Sequence, residues 1–249
     1  MKSLLEVQNL SYAYHSDKGE TNVLEHLHFS IAPGEFVAIV GPSGCGKSTL
    51  LSLICGLLTP DEGHLVTPPG LRIGYMLQKD HLLEWRNTFQ NVALGPVLHH
   101  ELPAKKNRLL ELLHRYGLKD FTQAKPDALS GGMRQRAALI RTLIQDPDLL
   151  LLDEPFSALD YQTRLSVSED IWQIIRQENK TALLITHDIS EAISMADRVL
   201  VLTARPATVQ TEIPIHLTYS PGQRIGPFQA RQTPEFSTYF NQIWKELNP

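Results

Sequence analysis

The sequence predicts an α/β fold, a largely parallel sheet with helices on both faces, and three observations predict it. Apolar runs of strand length alternate with segments of helical periodicity along most of the chain. Phe36 to Val40 and Leu149 to Leu152 are continuous apolar runs, as expected of strands buried on both faces. A glycine-rich turn at residues 41–46 joins the first of these runs directly to a helix-like segment. Sheets of this kind bind their ligands at the carboxyl ends of the strands.

The elements follow in order. Leu4 to Leu10 and Leu24 to Ile31 alternate as half-buried strands do, with a polar loop predicted from His15 to Asn22. Pro33-Gly34 is a turn signal before the buried strand at Phe36. Lys47 to Gly56 reads as a helix and Leu71 to Leu77 as a strand. From Asp80 to about Lys125 the periodicity becomes helical, clearest at Leu109, Leu110, Leu112, Leu113 and Tyr116, with Gly117 as the C-cap. Gly131 to Gln145 is a predicted helix that Asp146-Pro147 ends, before a buried strand closing on Asp153. A helix from Thr163 to Glu178, a strand from Thr181 to Thr186, a short helix from Ser190 to Ala196 and a strand from Arg198 to Thr203 complete the alternation. Further strand pairing near Val209 to Ile213, a Pro/Gly-rich loop and an amphipathic helix from Pro234 to Leu247 form the tail.

Bulk properties exclude several classes. The chain has 249 residues, enough for a sizeable core. A net charge of −4 gives no general attraction to nucleic acid. No secretory signal opens the chain, and no apolar run approaches the roughly 18–20 residues that span a bilayer. The expectation is a reduced, cytosolic chain that meets a membrane only through a partner. Cys45 and Cys55 lie too close together to staple a fold.

The strongest chemical signal is Gly41, Pro42, Ser43, Gly44, Cys45, Gly46, Lys47, Ser48 and Thr49, between a buried strand and a helix. Glycines let backbone N–H groups turn inward around phosphate oxygens, and the helix start adds the positive end of its dipole. Lys47 is placed to reach the β- and γ-phosphates, and Ser48 to ligate Mg²⁺. Asp153, at the end of a buried strand, is the expected holder of that ion through water, and Glu154 the carboxylate that polarises attacking water. Ser130 is a good N-cap, and the glycines after it leave a second helix start bare enough for an anion. Because the first loop already supplies a complete cradle, this second one points to the nucleotide of another chain. Cys45 is either a small filler of its loop or a point of sensitivity to alkylation. The pair His99-His100 lacks metal-ligand spacing and reads as surface.

Leu129 to Gln135 resembles the signature motif of the ABC ATPases, and further family markers follow in order. Tyr14 matches the aromatic residue that stacks on adenine, with Tyr12 as the alternative. Gln78 matches the Q-loop glutamine, Ser157 to Asp160 the D-loop, and His187 the H-loop histidine. The resemblance runs from about residue 4 to 205. It implies a P-loop NTPase fold with a RecA-like parallel-sheet core, an antiparallel β subdomain and a helical insertion at about 80–145. The whole chain would be one nucleotide-binding domain, 1–249, with a C-terminal tail from about 205. It also implies ATP and Mg²⁺ as ligands, with Gln78 near the metal beside Ser48 and Asp153. Two copies would pair head to tail, so that Ser130, Gly131, Gly132, Gln135 and Asp160 of one complete the site of the other. His187 would hold the γ-phosphate and the geometry of Glu154.

Narrower runs, Gln78 to Arg86, Asn91 to Gly95 and Asp153 to Arg164, are similar to importers of the nitrate, sulfonate and taurine type, which also includes carriers of thiamin precursors. This implies a separate permease, an extracytoplasmic solute-binding protein and a peripheral place on the cytoplasmic face of the membrane. Glu84 and Ser157 depart from the subgroup pattern. Leu82, Leu83 and Trp85 either form a groove for a permease helix or pack inside the insertion. An exporter subunit, or an ABC-type ATPase without a transport role, remains the alternative.

Overall fold

The computed structural model describes residues 3–16, 19–218 and 225–248. In chain order it contains β1 (Leu5–Ser16), β2 (Gly19–Ile31), β3 (Phe36–Val40), α1 (Lys47–Ile54), β4 (Glu62–Val66) and β5 (Ile73–Met76). Next come α2 (Thr88–Val92), α3 (Leu94–Leu98), α4 (Leu102–Arg115), α5 (Gly131–Leu143), β6 (Leu149–Asp153) and α6 (Tyr161–Gln177). The chain continues through β7 (Thr181–Ile185), α7 (Ile189–Met195), β8 (Arg198–Leu202), β9 (Val209–Pro214), α8 (Pro227–Ala230) and α9 (Pro234–Leu247).

The larger sheet has the order β5-β6-β7-β3-β8-β9, parallel throughout except for β9. Its central strands are buried on both faces, which is why they read as unbroken apolar runs. Alternate residues enter different cores. Phe36, Ala38, Val40, Leu150 and Leu152 join the core under the helices. Val37, Ile39, Leu149 and Leu151 join the one shared with α1 and the antiparallel sheet β2-β1-β4. A one-residue slip of any of these strands would exchange the two sets.

Of the loop predicted from His15 to Asn22, the described residues are strand instead, pairing Tyr14 with Thr21, His15 with Glu20 and Ser16 with Gly19; residues 17 and 18 lie outside the described residues. Those residues are exposed on both sides, so pairing satisfies the backbone while nothing apolar marks the strand. For the same reason β4, almost wholly exposed, went unread. Residues 80–87 are not helical; the insertion's helices begin at Thr88, where Asn87 and Gln90 form a reciprocal capping box. The helix α6 starts two residues early because Asp160 caps it. The short α8 lies where only a Pro/Gly-rich loop was expected.

The end of α4 follows the prediction. Gly117 has φ 72°, its N–H donates to His114 O at 3.2 Å, and Leu118 N–H donates to Leu113 O at 2.7 Å. These two bonds make a Schellman cap. Leu109, Leu112 and Leu113 face the core, whereas Leu110 is exposed.

Candidate functional site

The strand β3 delivers the chain at Val40 into the glycine-rich loop, and α1 leaves it at Lys47. Gly46 is the N-cap, in a left-handed conformation with no side-chain cap bond. The first-turn N–H groups are therefore not claimed by any capping side chain. Glycine is required here twice over: φ is 118°, and a Cβ would stand 2.6 Å from Val23 Cγ1. Lys47 is buried, and its ammonium donates to Gly41 O at 2.8 Å and Pro42 O at 2.9 Å. The charge thus folds back over its own loop, held by carbonyls that phosphate oxygens can replace as its acceptors.

At the end of β6, the buried Asp153 accepts from Ser48 Oγ at 3.3 Å and from Tyr75 OH at 3.1 Å. Burial raises its carboxyl above the usual range, against the lowering effect of those two hydrogen bonds. The Tyr75 hydroxyl is pushed up in turn, chiefly by burial and then by the Asp153 charge. Ser48 and Asp153 present hard oxygen donors side by side, a set that suits Mg²⁺. Among the described residues no group of three or more His, Cys, Asp or Glu is assembled. An ion held here takes its remaining ligands from water and phosphate, as Mg²⁺ does in nucleotide sites.

Glu154 follows in a left-handed turn, φ 43°, its N–H donating to Ile185 O at 2.9 Å. This conformation costs on the order of 1–3 kcal/mol in a non-glycine residue. It turns the carboxylate across to His187, whose Nδ1 lies 3.1 Å from Glu154 Oε2. Gln78 Nε2 donates to the same oxygen at 3.3 Å and to Ser157 Oγ at 3.3 Å. Gln78 therefore faces Glu154, and neither of those bonds goes to Ser48 or Asp153.

A cleft of roughly 610 Å³ opens over the loop, bordered by Tyr14, Gly44, Lys47, Glu154, His187 and Arg205 among others. Of the two tyrosines, Tyr14 lines the cleft. Its hydroxyl lies 3.3 Å from Thr49 Oγ1, and its ring meets Tyr12 edge-on, centroids 5.1 Å apart. Arg205 was not singled out from the sequence. Its guanidinium donates twice to Gly44 O, at 3.2 and 2.6 Å. No spacing signals it, because it arrives from the β8–β9 turn.

The second glycine-rich helix start is elsewhere on the surface. Ser130 Oγ accepts from Met133 N at 3.3 Å, capping α5 as expected. A Cβ on Gly131 would lie 2.8 Å from Leu159 Cδ2, and one on Gly132 2.7 Å from Val167 Cγ2. These glycines thus serve close packing against α6 and the turn before it as well as leaving the helix start bare. Gln135 is 3% exposed, and its Oε1 has no hydrogen-bond partner. Asp160 Oδ1 accepts from Thr163 N at 3.0 Å and caps α6. None of Ser130, Gly131, Gly132, Gln135 and Asp160 borders the phosphate-loop cleft. Gly131 and Gln135 border a separate hollow of roughly 450 Å³ with Leu82 and Leu159. Leu82 is buried in the core, as the packing reading expects, whereas Trp85 is 72% exposed. His99 and His100 are exposed. Cys45 and Cys55 are unpaired. No described helix is long and apolar enough to cross a membrane.

Residues 24–157 match the family described as ABC transporter. The chain is 44% identical to the uncharacterized ABC transporter ATP-binding protein YtlC of Bacillus subtilis, over 99% of this chain and 96% of that one. It is 40% identical to the aliphatic sulfonates import ATP-binding protein SsuB of Bacillus subtilis, over 88% and 87% of the two chains. Among solved structures, the dimeric post-hydrolysis state of the ATP-binding cassette MJ0796 with ADP and Pi superposes with TM-score 0.69 at 27% identity, covering 85% of this chain and 99% of that one. The protein cbiO1 of Clostridium perfringens, part of the complex cbiONQ, superposes with TM-score 0.74 at 26% identity, covering 86% and 89%.

Proposed function

This chain belongs to the ABC transporter family as an ATP-binding, ATP-hydrolysing subunit, and from that premise we propose that it energises import of a small solute. The solute class is that of nitrate, sulfonates, taurine or thiamin precursors. The chain works as a pair of copies on the cytoplasmic face of the membrane, bound to a separate permease that an extracytoplasmic binding protein serves. Support for import comes from the likeness to a sulfonate import protein over most of both chains.

One observation carries the reading of the site. Lys47, Glu154 and His187 border one cleft, whereas the Ser130 helix start lies outside it. On this reading the adenine ring stacks on Tyr14, and the phosphates lie in the loop from Gly41 to Thr49. Lys47 exchanges its loop carbonyls for phosphate oxygens. Ser48 and Asp153 would hold Mg²⁺, which would supply charge neutralisation on the phosphates. Glu154 orients or deprotonates the attacking water, and His187 fixes that carboxylate through its 3.1 Å contact. Gln78, bonded to the same carboxylate, reports the state of the site toward the permease. Ser130, Gly131, Gly132, Gln135 and Asp160 of the second copy close over the γ-phosphate. Phosphoryl transfer asks mainly for positioning and charge stabilisation, which is what this set supplies.

The test is reconstitution with the co-purified permease and binding protein, measuring ATP-dependent uptake of taurine, an alkanesulfonate and nitrate. Uptake of one of these is expected. With Glu154→Gln, ATP binding persists while hydrolysis and uptake fall by ~100-fold or more. Near-normal hydrolysis by that variant would sink the role of Glu154, and ATP-driven efflux instead of uptake would sink the import reading.

A further inference from the structure

The site above leaves a buried carboxylate and a partly buried guanidinium unused. Glu191 lies in the first turn of α7 and is 3% exposed. A buried charge is costly unless it is paired and hydrogen-bonded. Its Oε2 accepts from Thr186 Oγ1 at 2.6 Å. The same Thr186 oxygen accepts from Asp188 N at 3.0 Å. Asp188 Oδ1 in turn accepts from Ser190 N at 2.7 Å and Glu191 N at 3.2 Å. The residues on either side of His187 are therefore pinned to the start of α7, and Glu191 is the deepest point of the pinning.

The cation facing this cluster comes from another element. Arg164, in the first turn of α6, places Nη1 3.4 Å from Asp188 Oδ2 and Nε 3.8 Å from Glu191 Oε1. Its Nη2 donates to Leu159 O at 3.2 Å. A planar guanidinium reaches three such acceptors at once; an ammonium does not. Arg164 Nε is buried without a hydrogen bond, so its 3.8 Å contact with Glu191 is a loose one. Leu159 belongs to the segment whose Ser157 Oγ donates to Glu154 O at 3.0 Å. One side chain thus joins the His187 loop to the turn that follows Glu154.

We propose that Arg164, acting through Glu191 and Asp188, is a positioning residue that holds His187 in register with Glu154 and with the Ser157–Asp160 turn. The inference rests on the roles proposed above for His187 and Glu154. Removing the cation leaves two acidic side chains facing each other beside His187 and releases Leu159 O. A sub-ångström to 1 Å displacement of an oriented group lowers turnover steeply without altering the phosphate cradle.

The test compares kcat for ATP, affinity for a fluorescent ATP analogue and melting temperature in the full chain carrying Arg164→Gln, Arg164→Lys, Glu191→Gln or His187→Gln. Expected for Arg164→Gln is a fall in kcat of ~10- to 100-fold, with nucleotide affinity unchanged within about twofold. Arg164→Lys should restore part of the loss, since an ammonium satisfies only some of the acceptors. The pair Arg164→Gln with His187→Gln should be no slower than His187→Gln alone, because both act on one group. Wild-type kcat in Arg164→Gln, or a loss that adds fully to that of His187→Gln, overturns the inference while leaving the His187 reading intact. Wild-type kcat in His187→Gln overturns both. If Arg164→Gln does not fold, the same contrast is read from Arg164→Lys and Glu191→Gln.

Discussion

The phosphate loop and the Ser130 turn are both glycine-rich starts of helices, yet the chain surrounds them differently. Around the first, Lys47, Asp153, Glu154, His187 and Tyr14 converge on one cleft or its floor. Around the second, Leu159 and Val167 approach the glycines, the Oε1 of Gln135 is unpaired, and the adjoining hollow is lined by Lys79, Asp80, Glu84 and Arg134 from the segment after β5 and from α5 itself. Glycine at position 46 answers a left-handed backbone and the approach of Val23. At 131 and 132 it answers the approach of α6 and the preceding turn. What differs is the source of the charges: at the first start the ends of β6 and β7 bring in Asp153, Glu154 and His187, whereas at the second they come from a loop and from the helix itself. On the function proposed above, the second start is the half that completes the site of another copy.

Two experiments press on this contrast, from the larger expected effect to the smaller. Gly132→Ala forces a methyl against Val167 and should cost ~1–3 kcal/mol of stability by overpacking. Chemical denaturation would show it, with nucleotide affinity of the single chain unaltered. Loss of affinity without loss of stability would break the separation of the two regions.

Glu191→Gln tests the phosphate side by pH. Burial, with Asp188 adding and Thr186, Arg164 and His187 opposing, pushes the Glu191 carboxyl up to about 7. Its unfolded value is about 4.3, so between the two the folded chain holds more protons. The stability this provides is complete below the unfolded value and lost as pH rises through about 7. Glutamine removes the dependence. Relative to wild type, Glu191→Gln should therefore gain melting temperature between pH 5 and pH 8, by a few degrees. A constant difference across that range would show that Glu191 is not held this way.

How much of this could be read from the residues depends on what each is buried against. The strands β3, β6 and β7 declare themselves because both faces are covered. The loop from Gly41 to Thr49, Asp153 and Glu154 are fixed by local order along the chain. The paired residues Tyr14 to Ser16 and Gly19 to Thr21 and the strand β4 carry no apolar pattern, because water meets both of their faces. Tyr75, Arg164 and Arg205 gain their importance only from partners tens of residues away, at Asp153, Asp188 and Gly44. No sequence spacing encodes those meetings. The packing reason for Gly131 and Gly132 is hidden for the same cause, since it depends on α6.

The central claim is that Gly41 to Thr49 is half of a hydrolytic site completed by Ser130 to Gly132 of a second copy. It is tested most directly by mixing two inactive chains, Lys47→Ala and Ser130→Arg, and measuring ATP hydrolysis against their ratio. A mixed pair contains one intact half of each kind facing the other. The account predicts no activity from either variant alone and recovered hydrolysis that peaks near equal amounts. Absence of recovery at every ratio, with both variants folded and able to pair, would contradict it.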